Sequence, residues 1–226
     1  MVGKNKMLKI ILGTQNEHKV YEMNMISKPF GVEFEMVKGN FNPIEDGKTF
    51  EENAYIKAWA AYKAHSNFLK QYAKDGIYGS INDECEAPIF FLADDSGLCV
   101  DFLNGAPGLK SARYADTTEH RIEKLLGAMK SAKNRTAHFE CHLALLNNEG
   151  EVLHTTKGIC GGKISYEKKG LGGFGYDPVF VLDKIQKTMA ELTEDEKNHH
   201  SHRGKALRDM LLWLKKSSYC NSTAKL

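Results

Sequence analysis

The run FLADDSGLCVDFLNGAPGLKSARY, residues 91–114, places Asp94, Asp95, Ser96 and Gly97 directly behind an apolar stretch. Adjacent like charges at the end of a buried run cost free energy unless a cation or a bound ligand balances them. Mg²⁺ is one such cation, because it takes oxygen ligands and uses one or two carboxylates together with substrate phosphates. If the strand runs on through the pair, the two side chains point to opposite sides and one of them faces a given cleft. Glu45, in NPIEDGKTFEEN, is the candidate second carboxylate. The alternative is a strand-ending turn in which Asp95 caps a local bend.

Three further polar clusters sit at element ends, where functional groups concentrate. GTQNEHK joins an apolar run to a helical pattern and carries Thr14, Asn16 and Lys19. Backbone N–H groups at a helix start attract anions and Lys19 adds charge, although an ordinary capped helix has the same look. GLGGFGYDP contains Phe174, Gly175, Tyr176 and Asp177. Its glycines permit close backbone approach, its rings offer aromatic faces and Asp177 offers an acceptor, a set suited to a planar heterocycle; core aromatics in a glycine-rich loop are the plainer reading. EDEKNHHSHRGKAL gathers Lys197, His202 and Arg203 at the start of the last helix, where the dipole favours an anion. Its histidines have no cysteine nearby and match no familiar zinc spacing. His138 and His142 read as the exposed face of a strand. A cation for acidic groups, two anion sites and a ring-stacking loop together make a nucleotide phosphate site.

The elements that must position these groups alternate in type. MLKIILGT reads as a strand and QNEHKVYEMNMISK as a helix capped by Asn16. GKTFEENAYIKAWAAYKAHSNFLKQYAK is a helix opened by a Thr49–Glu52 capping box. DGIYGSINDECEAP is an exposed loop and IFFLA a buried strand. TTEHRIEKLLGAMKSAK puts Ile122, Leu125, Leu126 and Met129 on one helical face. Residues 137–145 alternate as a half-buried strand, and NNEG turns into a hairpin partner, EVLHTTKG. KKGLGGFGYDPVFVL leads into another strand, and a last helix starts from Ser201. The expected fold is α/β with a mixed sheet.

The 226 residues, 42% hydrophobic and 27% charged, are ordinary for a soluble globular protein. No apolar run reaches the ~20 residues of a membrane span, and MVGKNKMLKIILG has too few consecutive apolar residues for a signal peptide. A net charge of +2 does not argue for nucleic-acid binding. Five scattered cysteines without a C-x-x-C pair favour reduced thiols in a cytosolic protein.

With these segments in order, the chain resembles the inosine triphosphate pyrophosphatase, or Ham1-like, family. The matching stretches are TQNEHK, TFEENAYIKA, ADDSGLCVDFLNGAPGLKSARYA, GGFGYDPVF and TMAELTEDEKNHHSHRGKAL. The resemblance implies an elongated α/β fold of two lobes around a long mixed sheet, residues 1–226 forming one such domain with nucleotide in a central cleft. It also implies Mg²⁺-dependent hydrolysis of ITP, dITP and XTP to monophosphate and pyrophosphate by a cytoplasmic homodimer. Asp95 would be the general base and a metal ligand, with Glu45 the second metal-associated carboxylate. Thr14, Asn16 and Lys19 would form the phosphate-binding turn, and Ser96 would contact the nucleotide. Phe174, Gly175, Tyr176 and Asp177 would hold the base, while Lys197, His202 and Arg203 close the site. A related pyrophosphatase for pyrimidine or modified nucleotides, or a non-catalytic nucleotide sensor, is the alternative. Three features depart from the family. Gln15 replaces a usual glycine and would be strained if that position needs positive φ; His199 and His200 stand where small or apolar residues are usual; and residues 66–88 are an atypical insertion. Residues 217–226 read as a flexible tail.

Overall fold

The structure, a computed structural model, describes residues 7–74, 89–217 and 219. Six strands form one mixed sheet in the order β2-β1-β3-β4-β5-β6. They are β1 (Leu8–Leu12), β2 (Val32–Met36), β3 (Phe90–Val100), β4 (Thr136–Leu146), β5 (Val152–Ile164) and β6 (Phe180–Leu182). β1 pairs in parallel with both β2 and β3, whereas β5 and β6 are antiparallel. Among the described residues, helices α1 (Glu17–Ser27), α2 (Phe50–Lys74), α3 (Thr118–Ala128), α4 (Glu194–His200) and α5 (His202–Lys216) accompany them. β2 was not foreseen, although VEFEM carries the alternation of a half-buried strand, with Val32 and Phe34 buried.

The chain divides into two compact units. The first comprises residues 1–95, 142–156 and 207–226, the second residues 96–141 and 157–206. In the first, Ala54, Ala58, Ala61 and Ala64 of α2 pack with Ile11, Phe91 and Ala93. Small side chains let the helix lie close to the strands. At Gly13, just beyond β1, an added Cβ would stand 2.9 Å from the Lys57 carbonyl oxygen and 3.1 Å from the Ala61 and Ala93 methyl carbons. The core of the second unit collects Leu98, Val100, Ile122, Leu125, Met129, Phe139 and Phe180. Ile122, Leu125 and Met129 are therefore the buried face foreseen for α3, with Leu126 partly buried beside them.

β3 runs unbroken through Asp94, Asp95 and Ser96, which corrects the strand-ending-turn alternative. Residues 66–74 of the atypical insertion complete α2, while the loop expected over 75–88 lies outside the described residues, as do Cys85 and Cys220. No disulfide joins Cys99, Cys141 and Cys160. At the C-terminal end the Tyr219 ring meets Phe90 edge-on at 5.4 Å; residues 218 and 220–226 of the expected tail lie outside the described residues. Among the described residues no helix is long and apolar enough to cross a membrane.

Candidate active site

Cations held by α1 and α2 balance the two aspartates of β3. Lys19 Nζ lies 2.9 and 3.0 Å from the two carboxylate oxygens of Asp94, which is 1% exposed. Lys57 Nζ lies 3.4 Å from Asp95 Oδ1 and 3.6 Å from Glu45 Oε1. On the other oxygen of Asp95, the Asn53 side-chain amide donates to Oδ2 at 3.2 Å. Asn53 and Lys57 are one turn apart on α2, so both project from the face that its alanines bring against the sheet. The helix start fixes their height: Thr49 Oγ1 accepts the Glu52 N–H at 3.1 Å, while Glu52 Oε2 accepts the Lys48 N–H at 2.6 Å. The capping box is thus present with its return bond one residue earlier than the motif predicts.

Burial pushes the Asp95 carboxyl above the ordinary carboxylate range; Lys57 and the Asn53 hydrogen bond pull it down, and Glu45 and Asp94 push it further up. Burial opposes the Lys57 charge, yet Asp94, Asp95 and Glu45 outweigh it and hold the ammonium above its usual value. Three carboxylates thus face two ammonium groups, and these five groups carry one net negative charge. No group of three or more His, Cys, Asp and Glu side chains forms a metal cage among the described residues. Mg²⁺ would need no such cage: one or two carboxylates with phosphate oxygens suit it, and Glu45 and Asp95, which converge on Lys57, are the side chains that could supply the protein share.

In the turn between β1 and α1, Thr14 Oγ1 accepts the Asn16 N–H at 3.1 Å. Asn16 is the N-cap, and its Oδ1 accepts the N–H groups of His18 at 3.0 Å and Lys19 at 3.4 Å. Those two backbone donors are committed to the cap, and the Lys19 ammonium is paired with Asp94. Gln15 is not among the residues with positive φ, and its Nε2 donates to the Phe41 carbonyl at 3.0 Å. The strain foreseen there is absent because the turn does not use the left-handed region.

A second cluster belongs to the other unit. Gly173 (φ +73°) and Gly175 (φ +62°) flank Phe174 in a loop that closes on Asp177. Asp177 Oδ2 accepts the Phe174 N–H at 2.8 Å and pairs with Lys197 Nζ, also at 2.8 Å. An alanine Cβ at 173 would come within 2.2 Å of that carboxylate oxygen. Lys197 Nζ and Arg203 Cζ stand 4.4 and 5.7 Å from the Phe174 ring centroid, and Arg203 Nη2 reaches Ser96 Oγ at 3.4 Å. α4 and α5 present these cations from a tight corner, where Ser201 Oγ accepts the Gly204 N–H at 3.0 Å. Ser201 is thereby the cap foreseen for the last helix. His202 lies flat against Phe139, with ring centroids 4.7 Å apart and planes 9° apart. Tyr176, also expected in the base-holding set, lies inward. Its ring is 5% exposed within the core and its hydroxyl donates to the Ser111 carbonyl at 2.9 Å, so it anchors the loop and presents no stacking face. Burial pushes its phenol well above the ordinary value.

The structure thus joins Lys19 to Asp94, and Asp95 to Glu45 through Lys57, in one unit, and Phe174, Asp177, Lys197, Arg203 and Ser96 in the other. The profile of the Ham1 family matches residues 10–213. The chain belongs to the Ham1 family. A Desulfotalea psychrophila relative described as "dITP/XTP pyrophosphatase" is 42% identical over 208 residues, covering 89% of this chain and 82% of its own. One from Synechocystis, described in the same words, is 40% identical over 202 residues, covering 89% and 93%. Among solved structures, the HAM1 protein of Coxiella burnetii aligns with a TM-score of 0.72 at 36% identity over 93% of this chain and all of that one. The Staphylococcus aureus Ham1 protein aligns at 0.71 and 33%, over 92% and 98%.

Reading the sequence missed Asn53 and Lys57. Their signal was present in the Ham1 segment TFEENAYIKA: an amide and an ammonium four residues apart within the alanine stripe of an amphipathic helix, where apolar side chains are the rule.

Proposed function

We propose that the chain is a nucleoside triphosphate pyrophosphatase that converts ITP, dITP and XTP to the monophosphate and pyrophosphate with Mg²⁺. The observation that carries this reading is Asp95: a buried carboxyl with a raised pKa, gripped by Asn53 and Lys57 beside Glu45, in a chain whose relatives are described as dITP/XTP pyrophosphatases. A general base works best with a pKa near the working pH, and burial moves Asp95 in that direction.

Asp95 takes a proton from water as the water oxygen forms its bond to the α-phosphorus. The bond from that phosphorus to the α–β bridging oxygen breaks, and the electron pair leaves with pyrophosphate. Lys19 and Lys57 offset the charge that gathers on the phosphate oxygens. Glu45 and Asp95 would hold Mg²⁺, which when bound neutralises the triphosphate and polarises its oxygens. Phe174 offers a face to the base, and Arg203 donates toward the 6-oxo group of hypoxanthine or xanthine. Adenine presents an amino donor at that position, and a mismatched buried polar group costs about 1–3 kcal/mol. By family resemblance the enzyme acts as a cytoplasmic homodimer, and sedimentation equilibrium tests the dimer.

The direct test is purified protein with Mg²⁺ and a panel of ITP, dITP, XTP, ATP, GTP and dTTP, with pyrophosphate and orthophosphate assayed separately. Pyrophosphate from the inosine and xanthosine nucleotides is the expected result. Preference for dTTP would move the enzyme to the pyrimidine class, and binding without turnover would make it a nucleotide sensor.

A further inference from the structure

Asn53 is 1% exposed and bound on both sides. Its Oδ1 accepts the Gly47 N–H at 2.9 Å, while its Nδ2 donates to Asp95 Oδ2 at 3.2 Å. An amide has one acceptor end and one donor end, so the Gly47 bond decides which end faces Asp95. Room for a different arrangement is small, because a Cβ added at Gly47 would lie 2.6 Å from Asn53 Oδ1. The two oxygens of Asp95 therefore differ: Oδ2 is held by a neutral donor, and Oδ1 faces the Lys57 ammonium at 3.4 Å. A carboxylate that must bind a cation and also receive a proton cannot do both through one oxygen.

Building on the pyrophosphatase reading, we infer that Asn53 is a positioning residue that locks the rotation of the Asp95 carboxylate and divides its two oxygens between these tasks. The 45–48 loop takes part, because the Gly47 backbone orients the amide that orients the base. Displacement of reacting groups by about 1 Å costs on the order of 10²-fold in rate, which sets the size of the effect.

Asn53→Leu tests this without adding a charge. It keeps the approximate shape but removes the donor to Asp95 and the acceptor for the Gly47 N–H. With dITP and saturating Mg²⁺, kcat falls about 10²-fold while KM stays near that of the parent enzyme. A kcat near the parent value, or a loss confined to KM, overturns the inference while leaving the pyrophosphatase reading intact. An inactive parent enzyme instead defeats the reading itself. A second measurement needs no turnover and no change at Asn53. In metal-free parent protein, the Asn53 side-chain amide should give a slowly exchanging ¹⁵N–¹H pair that shifts on Asp95→Asn. Exchange at the rate of a solvent-exposed amide overturns the inference as well.

Discussion

Removing the charge of Asp95 separates its chemistry from its effect on the fold. Asp95→Asn keeps the shape, and loss of a general base costs about 10²–10⁴-fold in kcat. The same substitution raises the melting temperature at pH 7, for a reason of sign. A carboxyl whose folded pKa lies above its unfolded value favours folding while protonated, and that contribution is lost as pH rises through the folded pKa. At neutral pH the ionised Asp95 therefore opposes folding, and the neutral amide relieves it. Parallel kinetics and calorimetry check both halves. In metal-free protein the Asp95 carboxyl titrates above the ordinary aspartate value of about 3.9, and an NMR titration of that carboxyl at or below this value contradicts the environment described for Asp95. The aspartates, Lys19 and the Lys197–Arg203 group were legible in the sequence because charged residues stood beside apolar runs or helix starts. Asn53 and Lys57 were not, because their partner Asp95 lies 42 and 38 residues away and only folding discloses the pair.

At the scale of the elements, the loop proposed to hold the base depends on backbone conformations open to glycine. Gly173→Ala places a side chain at φ +73° and drives a methyl toward Asp177 Oδ2. The left-handed backbone alone costs about 1–2 kcal/mol, and the displaced carboxylate releases Lys197 and the Phe174 N–H together. KM for dITP rises on the order of tenfold with a smaller change in kcat, as expected for lost binding of the base; steady-state kinetics with dITP measure both. β3 shows why element limits were harder to read than element types. IFFLA was recognised, but two adjacent aspartates resemble a strand end unless their lysine partners are known, and those come from α1 and α2. Tyr176 shows the converse limit. In GGFGYDP it looks as available as Phe174, and only the tertiary hydrogen bond to Ser111 turns it into a core anchor.

For the molecule as a whole, Asp94, Asp95 and Glu45 of the first unit have ammonium partners in Lys19 and Lys57. Chelation of divalent cations therefore abolishes turnover while the far-ultraviolet circular dichroism and melting temperature stay essentially unchanged. Unfolding on chelation would mean that the cation is structural, contrary to the charge balance around Lys19 and Lys57. The two-unit organisation is written into crossings that sequence alone does not mark. The division falls within β3, β4, β5 and α5, each continuous in secondary structure, so no linker or shift in composition announces it. Isotope position tests attack by water at the α-phosphorus most directly. In ¹⁸O-enriched water, hydrolysis of dITP should place a single ¹⁸O atom in the monophosphate and none in the pyrophosphate. Label in pyrophosphate, or release of labelled orthophosphate, would contradict the account.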